Sequence, residues 1–282
     1  MPVAVTLRRV TRGKRARALL ARLAEPLGLL PLLVWLYGDL LYARARLRAV
    51  GADRAHGDGL PVPPPRLLFL VTNECDPAWY FEGGAAASSS LLELLRRHGS
   101  AVAAEAPILD FGCGCGRVIR RWHDLGVELH GTDVNPRLVE WCSKSLPFAR
   151  FAVNGLEPPL GYVDEAFGLI YAFSVFTHMP VELEAAWMTE LRRILRPGGQ
   201  LVVSTHGQAY LDRLNEPERV AFLAGHTVVR RGAVAGSNWC TTFHPEQAVR
   251  QRLARGFEVV DFVREGAKGN PVQDITLLRK PV

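Results

Sequence analysis

The residues best spaced for chemistry lie together in Ile108-Leu109-Asp110-Phe111-Gly112-Cys113-Gly114-Cys115-Gly116-Arg117. An apolar run enters a loop with glycine at alternate positions and leaves it as a helical stretch. Glycine lets the backbone turn sharply and approach a ligand, and a helix N-terminus offers unpaired N–H groups to it. A second apolar run, 128–132, ends at Asp133. A carboxylate in that place can accept both hydroxyls of a ribose. The pair implies a ligand containing a nucleoside. The spacing is Asp-x-Gly-x-Gly-x-Gly, whereas the dinucleotide fingerprint is G-x-G-x-x-G with an open turn for a pyrophosphate. A nicotinamide-dependent oxidoreductase is therefore the weakest reading.

Such groups need a frame, and the sequence supplies one. From residue 107 onward, short apolar runs alternate with helical stretches, the pattern of a parallel sheet flanked by helices. Strands are expected at 108–111, 128–132, 149–153, 168–173 and 200–205, and helices at 118–125, 136–146 and 183–195. The last helix should stop at Arg196-Pro197-Gly198-Gly199 and pass into a turn. Two further strands are expected at 257–263 and 275–278, separated by a Gly and Asn-Pro turn. The fold class is α/β, doubly wound.

The ordered motifs resemble those of the class I S-adenosylmethionine-dependent methyltransferases, over residues 66–282. Asp110, Gly112, Gly114 and Gly116 match the family's first motif, and Asp133 its ribose acid. Asn154 matches a polar residue after the third strand. Leu169-Ile170-Tyr171-Ala172-Phe173-Ser174-Val175-Phe176-Thr177-His178-Met179 matches the fourth strand and its loop, and 191–201 the fifth helix and strand. The resemblance implies a mostly parallel seven-stranded sheet with the last strand antiparallel, and S-adenosyl-L-methionine across the strands' carboxyl ends. It further implies that Asp110 organises the loop near the methionine part, with Gly112 and Gly114 giving close approach. Asp133 would hold the ribose, Val134 and Leu156 would flank adenine, Asn154 would bond its edge, and the backbone at Phe173 and Ser174 would meet the amine. The implied reaction is methyl transfer to a small molecule such as a sugar, a lipid-like compound or a secondary metabolite. A cofactor-binding regulatory protein, or an enzyme of this fold with non-methylating chemistry, remains as the alternative.

Methyl transfer from a sulfonium is an in-line displacement, so alignment and exclusion of water matter most. A hydroxyl acceptor also benefits from a general base, for which histidine has a suitable pKa. His178 and His206 follow the fourth and fifth strands, on the side where open α/β sheets bind ligands, and are the catalytic candidates. His226 and His244 lie in or beside the next segment. Trp79 and Tyr80, before a glycine pair, are candidates for the substrate wall, as are Trp239 and His244 in an insertion at 208–245. Cys113 and Cys115 form a single C-x-C without a second ligand pair, which makes a poor zinc site. No metal is expected.

Composition bounds the rest. The 282 residues are 48% hydrophobic and 22% charged, enough to bury a core and too apolar for disorder. Five cysteines, an odd number, suit a reduced cytoplasmic protein better than a disulfide framework. Of the net charge of +6, residues 1–50 carry ten Lys and Arg against two acids, while the remainder is slightly acidic. The main body therefore lacks the basic stripe that nucleic acid demands. The arm, 1–60 with its Gly- and Pro-rich linker, precedes the methyltransferase-like region 61–282, whose cap elements span 66–105. Residues 26–43 are nearly all apolar, but Pro31, Gly38 and Asp39 interrupt a run already short for a membrane span. As a leader, the arm would place its small-x-small site, Ala43-Arg44-Ala45, far from Met1. Helices packed as a lid or dimer surface are the preferred reading, ahead of an interfacial membrane anchor.

Overall fold

The computed structural model describes residues 30–48, 58–269 and 271–282. The basic stretch 7–22 lies outside the described residues. Strands β1 (Ile108–Phe111), β2 (Leu129–Asp133), β3 (Arg150–Val153), β4 (Phe167–Ala172), β5 (Leu195–Thr205), β8 (Glu258–Ala267) and β9 (Gln273–Arg279) form one sheet in the order β3-β2-β1-β4-β5-β9-β8. The five strands β3, β2, β1, β4 and β5 are parallel, and β9 runs antiparallel to both β5 and β8. This is the seven-stranded, doubly wound sheet the motifs imply. Two short strands, β6 (Val228–Arg230) and β7 (Thr241–Phe243), pair separately within the 208–245 insertion.

Alternate residues of the central strands face opposite layers, as a period of two requires. Leu109, Phe111, Ile170, Leu201 and Val203 pack on one side with Trp187, Leu191 and Ile194 of the helix Val181–Ile194. Ile108, Leu169, Tyr171 and Val202 pack on the other with Leu91, Leu94 and Leu95 of the helix Pro77–Arg97. In chain order the α-helices used below are α1 (Leu30–Arg48), α2 (Pro65–Thr72), α3 (Pro77–Arg97), α4 (Pro136–Ser145) and α5 (Val181–Ile194). Pro77 and the Asp76 carboxylate, which accepts from Ala78 N at 2.9 Å, start α3; Pro136 and Asn135 start α4 in the same way.

Three local expectations change. The helix expected at 118–125 is a single 3-10 turn, Ile119–Trp122. Val118, Ile119, Arg120 and Trp122 are all buried, which no single helical face allows. Arg120 is drawn instead to Asp58, with Nε–Oδ2 2.6 Å and Nη2–Oδ1 2.9 Å, and to the Pro61 carbonyl. A stretch read as linker is thereby bound to the main body. The Arg-Pro-Gly-Gly turn is a bulge inside β5, whose pairing with β4 slips between Leu195 and Gln200. Finally, β8 runs on to Ala267, so the last turn is shorter than expected.

Candidate active site

At the carboxyl ends of the parallel strands lies a hollow of about 580 Å³. Its walls come from the loop after β1, the ends of β2 to β5, residues 235–239 of the insertion, the turn before β9, and α2 with Gly38 of α1. The glycines build the first wall. Gly112 and Gly114 have φ of +80° and +56°, which L side chains rarely adopt. A Cβ at Gly112 would collide with Val175 Cγ2, and one at Gly114 would stand 3.0 Å from Val71 Cγ2. Gly116 serves packing instead, since a Cβ there would meet Leu146 at 2.5 Å, and it does not line the hollow.

Two acids stand at this wall. Asp133 Oδ2 accepts from Gly114 N at 2.9 Å and Oδ1 from Asn135 N at 2.8 Å. These bonds fix the carboxylate, yet burial outweighs them and raises its pKa. Each oxygen keeps a lone pair that could take a hydroxyl. Asp110 is buried, and its carboxyl is pushed up to about 7 by burial, with the neighbouring Asp133 adding to the rise. Tyr171 and Arg117 beside it pull the other way. An acid held half-neutral near pH 7 gains most from a cation placed beside it. Val134, Asn154, Leu156, Phe173 and Ser174 also line the hollow. Asn154 Oδ1 and Arg117 Nη1 are buried without a hydrogen-bond partner, so this wall holds one orphaned acceptor and one orphaned cationic donor. That set fits S-adenosylmethionine, which brings an amino edge, two ribose hydroxyls, a carboxylate and two positive charges.

The opposite wall carries the histidines. His178 Nδ1 lies 2.7 Å from the Cys240 carbonyl, which can only accept. The proton is therefore on Nδ1, and Nε2 is the free base nitrogen of a ring that lines the hollow. Burial lowers its pKa, against the Cys240 bond. His206 lies with its ring centroid 6.4 Å away and is pushed down to about 3, first by burial and then by His178, His244 and Arg213. Its Nε2 is 3.3 Å from the Gln273 amide nitrogen, so it accepts there. Gln273 also donates to Ser174 Oγ at 2.8 Å and accepts from Ser204 Oγ at 2.6 Å, and Ser204 Oγ accepts from Ser174 N. This network ties the β4 loop, β5 and β9 together.

The substrate-wall expectations divide. Trp239 lines the hollow. Tyr80 does not: it is fully buried beneath the glycine loop, and its hydroxyl donates to the Cys115 carbonyl at 2.7 Å. Trp79, on the outer side of the same helical turn, is 42% exposed and outside the hollow. The reason is the glycine pair, because at Gly84 a side chain would strike the Arg117 carbonyl, and that close approach fixes how α3 is turned. His244 is buried away from the hollow, with Nε2 2.7 Å from Glu184 Oε1. His226 is exposed, also outside it. Gln273, Ser204 and Arg117 were not anticipated. Gln273 had a signal, since in an antiparallel last strand the first residues lie at the carboxyl ends of the parallel ones.

Comparison with known proteins agrees with this geometry. A family model described as a methyltransferase domain matches residues 109–203. A ubiquinone biosynthesis O-methyltransferase of Cereibacter sphaeroides is 27% identical over 168 residues, 58% of this chain and 64% of that protein. A 2-methyl-6-phytyl-1,4-hydroquinone methyltransferase of Synechocystis is 32% identical over 107 residues, 36% of this chain and 32% of that one. The chain thus spans just under two thirds of the first relative's length and about a third of the second's. The Burkholderia thailandensis 1,6-didemethyltoxoflavin-N1-methyltransferase, crystallised with 1,6-didemethyltoxoflavin and S-adenosylhomocysteine, shares the fold. Its TM-score is 0.50 at 17% identity, over 73% of this chain and 81% of that one. Residues 109–203 thus match a methyltransferase domain, and the sheet that carries them has the seven-stranded, Rossmann-like order of the class I S-adenosylmethionine-dependent methyltransferases.

Proposed function

We propose that the protein methylates a small molecule at a hydroxyl group, with His178 as the general base. One observation carries this reading: a neutral histidine whose Nδ1 is tied to a carbonyl, leaving Nε2 as acceptor, borders the same hollow as the glycine loop. The O-methyltransferase named among the relatives supports a hydroxyl over an amine, and the two quinone-related names favour a phenolic, lipid-like acceptor over a sugar. Bound S-adenosylmethionine supplies a methyl group on a cationic sulfur. On this reading Asp133 holds the ribose hydroxyls, Asn154 Oδ1 accepts from the adenine amino group between Val134 and Leu156, and Arg117 pairs with the carboxylate.

The chain's own part in the reaction is alignment and proton removal. Phe173 and Val175 close one side of the hollow, and Trp239 and Met179 another, which keeps water from competing. Nε2 of His178 takes the acceptor's proton as the oxygen attacks, and the Cys240 carbonyl steadies the charged ring. His206, already accepting from Gln273 and held neutral, positions the acceptor instead.

The test is transfer of labelled methyl from S-adenosylmethionine to a panel of phenols, aliphatic alcohols and amines. Methylated phenols are expected, and His178→Gln should lower kcat about 100-fold while calorimetry shows S-adenosylhomocysteine binding as before. Labelled amines with no labelled phenol, or an undiminished kcat in the variant, would remove His178 from the reaction.

A further inference from the structure

Helix α1 has two unlike sides. Gly38, Leu41, Tyr42 and Ala45 lie towards α2, where Ala45 is buried with Phe69 and Cys75 and Tyr42 stands edge-on to Phe69 at 5.7 Å. At 100° per residue the opposite side carries Leu40, Ala43, Arg44 and Leu47. All four are exposed, Leu40 at 53% and Leu47 at 74%. Large aliphatic residues repeated along an outward helix face, with arginine among them, leave a surface that water alone satisfies poorly.

We propose that this face of α1 docks on an anionic phospholipid bilayer, with Leu40 and Leu47 entering the head-group boundary and Arg44 and Arg46 meeting the phosphates. Charge identifies the occupant. Ten basic residues against two acids in the first 50 would set like charge against like charge if two copies paired through this arm. An anionic leaflet attracts the same charge, and apolar burial then holds the helix in the interface plane. Among the described residues no helix is long and apolar enough to cross a membrane, and a helix lying in the interface plane needs no such span.

Docking would also bring the rim of the hollow within a helix width, roughly 10 Å, of the lipid. Gly38 borders the hollow from α1, and Arg66, held by Asp39 at 2.6 Å, borders it from α2. An acceptor dissolved in the bilayer would then have only that short path to the hollow. That consequence rests on the proposed methyl transfer, whereas the docking itself does not.

The experiment is co-sedimentation of the full chain with vesicles of mixed phosphatidylglycerol and phosphatidylcholine, and with phosphatidylcholine alone. Binding to the mixed vesicles only, weakened by salt, is expected. The Leu40→Asp/Leu47→Asp double variant should lose about tenfold in vesicle affinity, and Arg44→Gln/Arg46→Gln a smaller but salt-sensitive share. Calorimetry with S-adenosylhomocysteine shows separately that each variant is folded and that the cofactor site stands. Equal binding to both vesicle types, or a double variant that sediments like the parent, overturns the proposal. So does a double variant whose only change is a lower oligomeric mass, which would assign the face to a second copy.

Discussion

At one end of the hollow Asp133 is held by two main-chain N–H groups, Gly114 and Asn135, while at the other His178, His206 and Gln273 are held by partners 62 to 99 residues away in sequence. The first end is built from backbone conformation and the second from side chains delivered by separate elements. Backbone conformation constrains residue type tightly, because few residues other than glycine tolerate positive φ. A side-chain network can be assembled from many sequences. The two ends should therefore respond differently to substitution, and the difference can be measured.

Gly112→Ala should have the largest effect. A Cβ there meets Val175 and forces an alanine to φ +80°. Conformational strain and overpacking together are worth about 3 kcal/mol, so cofactor affinity by calorimetry should fall about 100-fold. Asp133→Ala should cost at least about tenfold, since each charge-assisted bond to a hydroxyl contributes about 1.5 to 3 kcal/mol. A loss under threefold in Gly112→Ala would mean that the loop has slack, and that the two ends of the hollow tolerate substitution alike.

The pH dependence sharpens the comparison, because the end at the glycine loop carries Asp110, an acid titrating near neutrality. Asp110 has its folded-state pKa raised from 3.8 to about 7. Its contribution to stability is thus complete below about pH 4 and is lost as pH rises through 7, so the unliganded protein should weaken across that window. A cationic ligand beside the carboxyl favours the ionised form. Cofactor binding should therefore release a proton below pH 7 and tighten with rising pH, by at most about tenfold per unit. Calorimetry at pH 6.5 in two buffers of different ionisation enthalpy reads the proton directly, and Asp110→Asn should abolish it. Affinity that stays level from pH 6 to 8 in the parent would show that Asp110 does not sense the ligand's charge.

The same contrast explains what was legible in the sequence. The glycine loop, Asp133 and the succession of strands along the chain follow from local spacing and from motifs whose backbone demands are strict. The turn at 118–125 was not legible as a 3-10 turn, because its shape depends on Arg120 finding Asp58, 62 residues earlier. His178 could be named as a base, but its tautomer depends on the Cys240 carbonyl, which only the folded insertion delivers. His244 carried the same residue-type signal as His178, and its burial against Glu184 removes it from the site.

The smallest effect should come from Trp79, where residue type and position point in opposite directions. As an aromatic in the cap region it suggests a shield for a sulfonium, a use of the ring face that is energetically sound. The folded chain places it on the outer side of α3 while Tyr80, its neighbour, takes the buried position under the loop. A side chain 42% exposed and outside the hollow loses modest apolar burial when truncated. Trp79→Ala should thus cost about 1 kcal/mol of stability and leave both cofactor affinity and acceptor KM unchanged. Tyr80→Phe differs in kind, since it leaves the Cys115 carbonyl beside the glycine loop without its donor, and thermal unfolding of the two variants side by side ranks them. If Trp79→Ala instead raised the acceptor KM severalfold with stability intact, α3 would have to turn over the hollow during the reaction, and the acceptor end would extend into the cap.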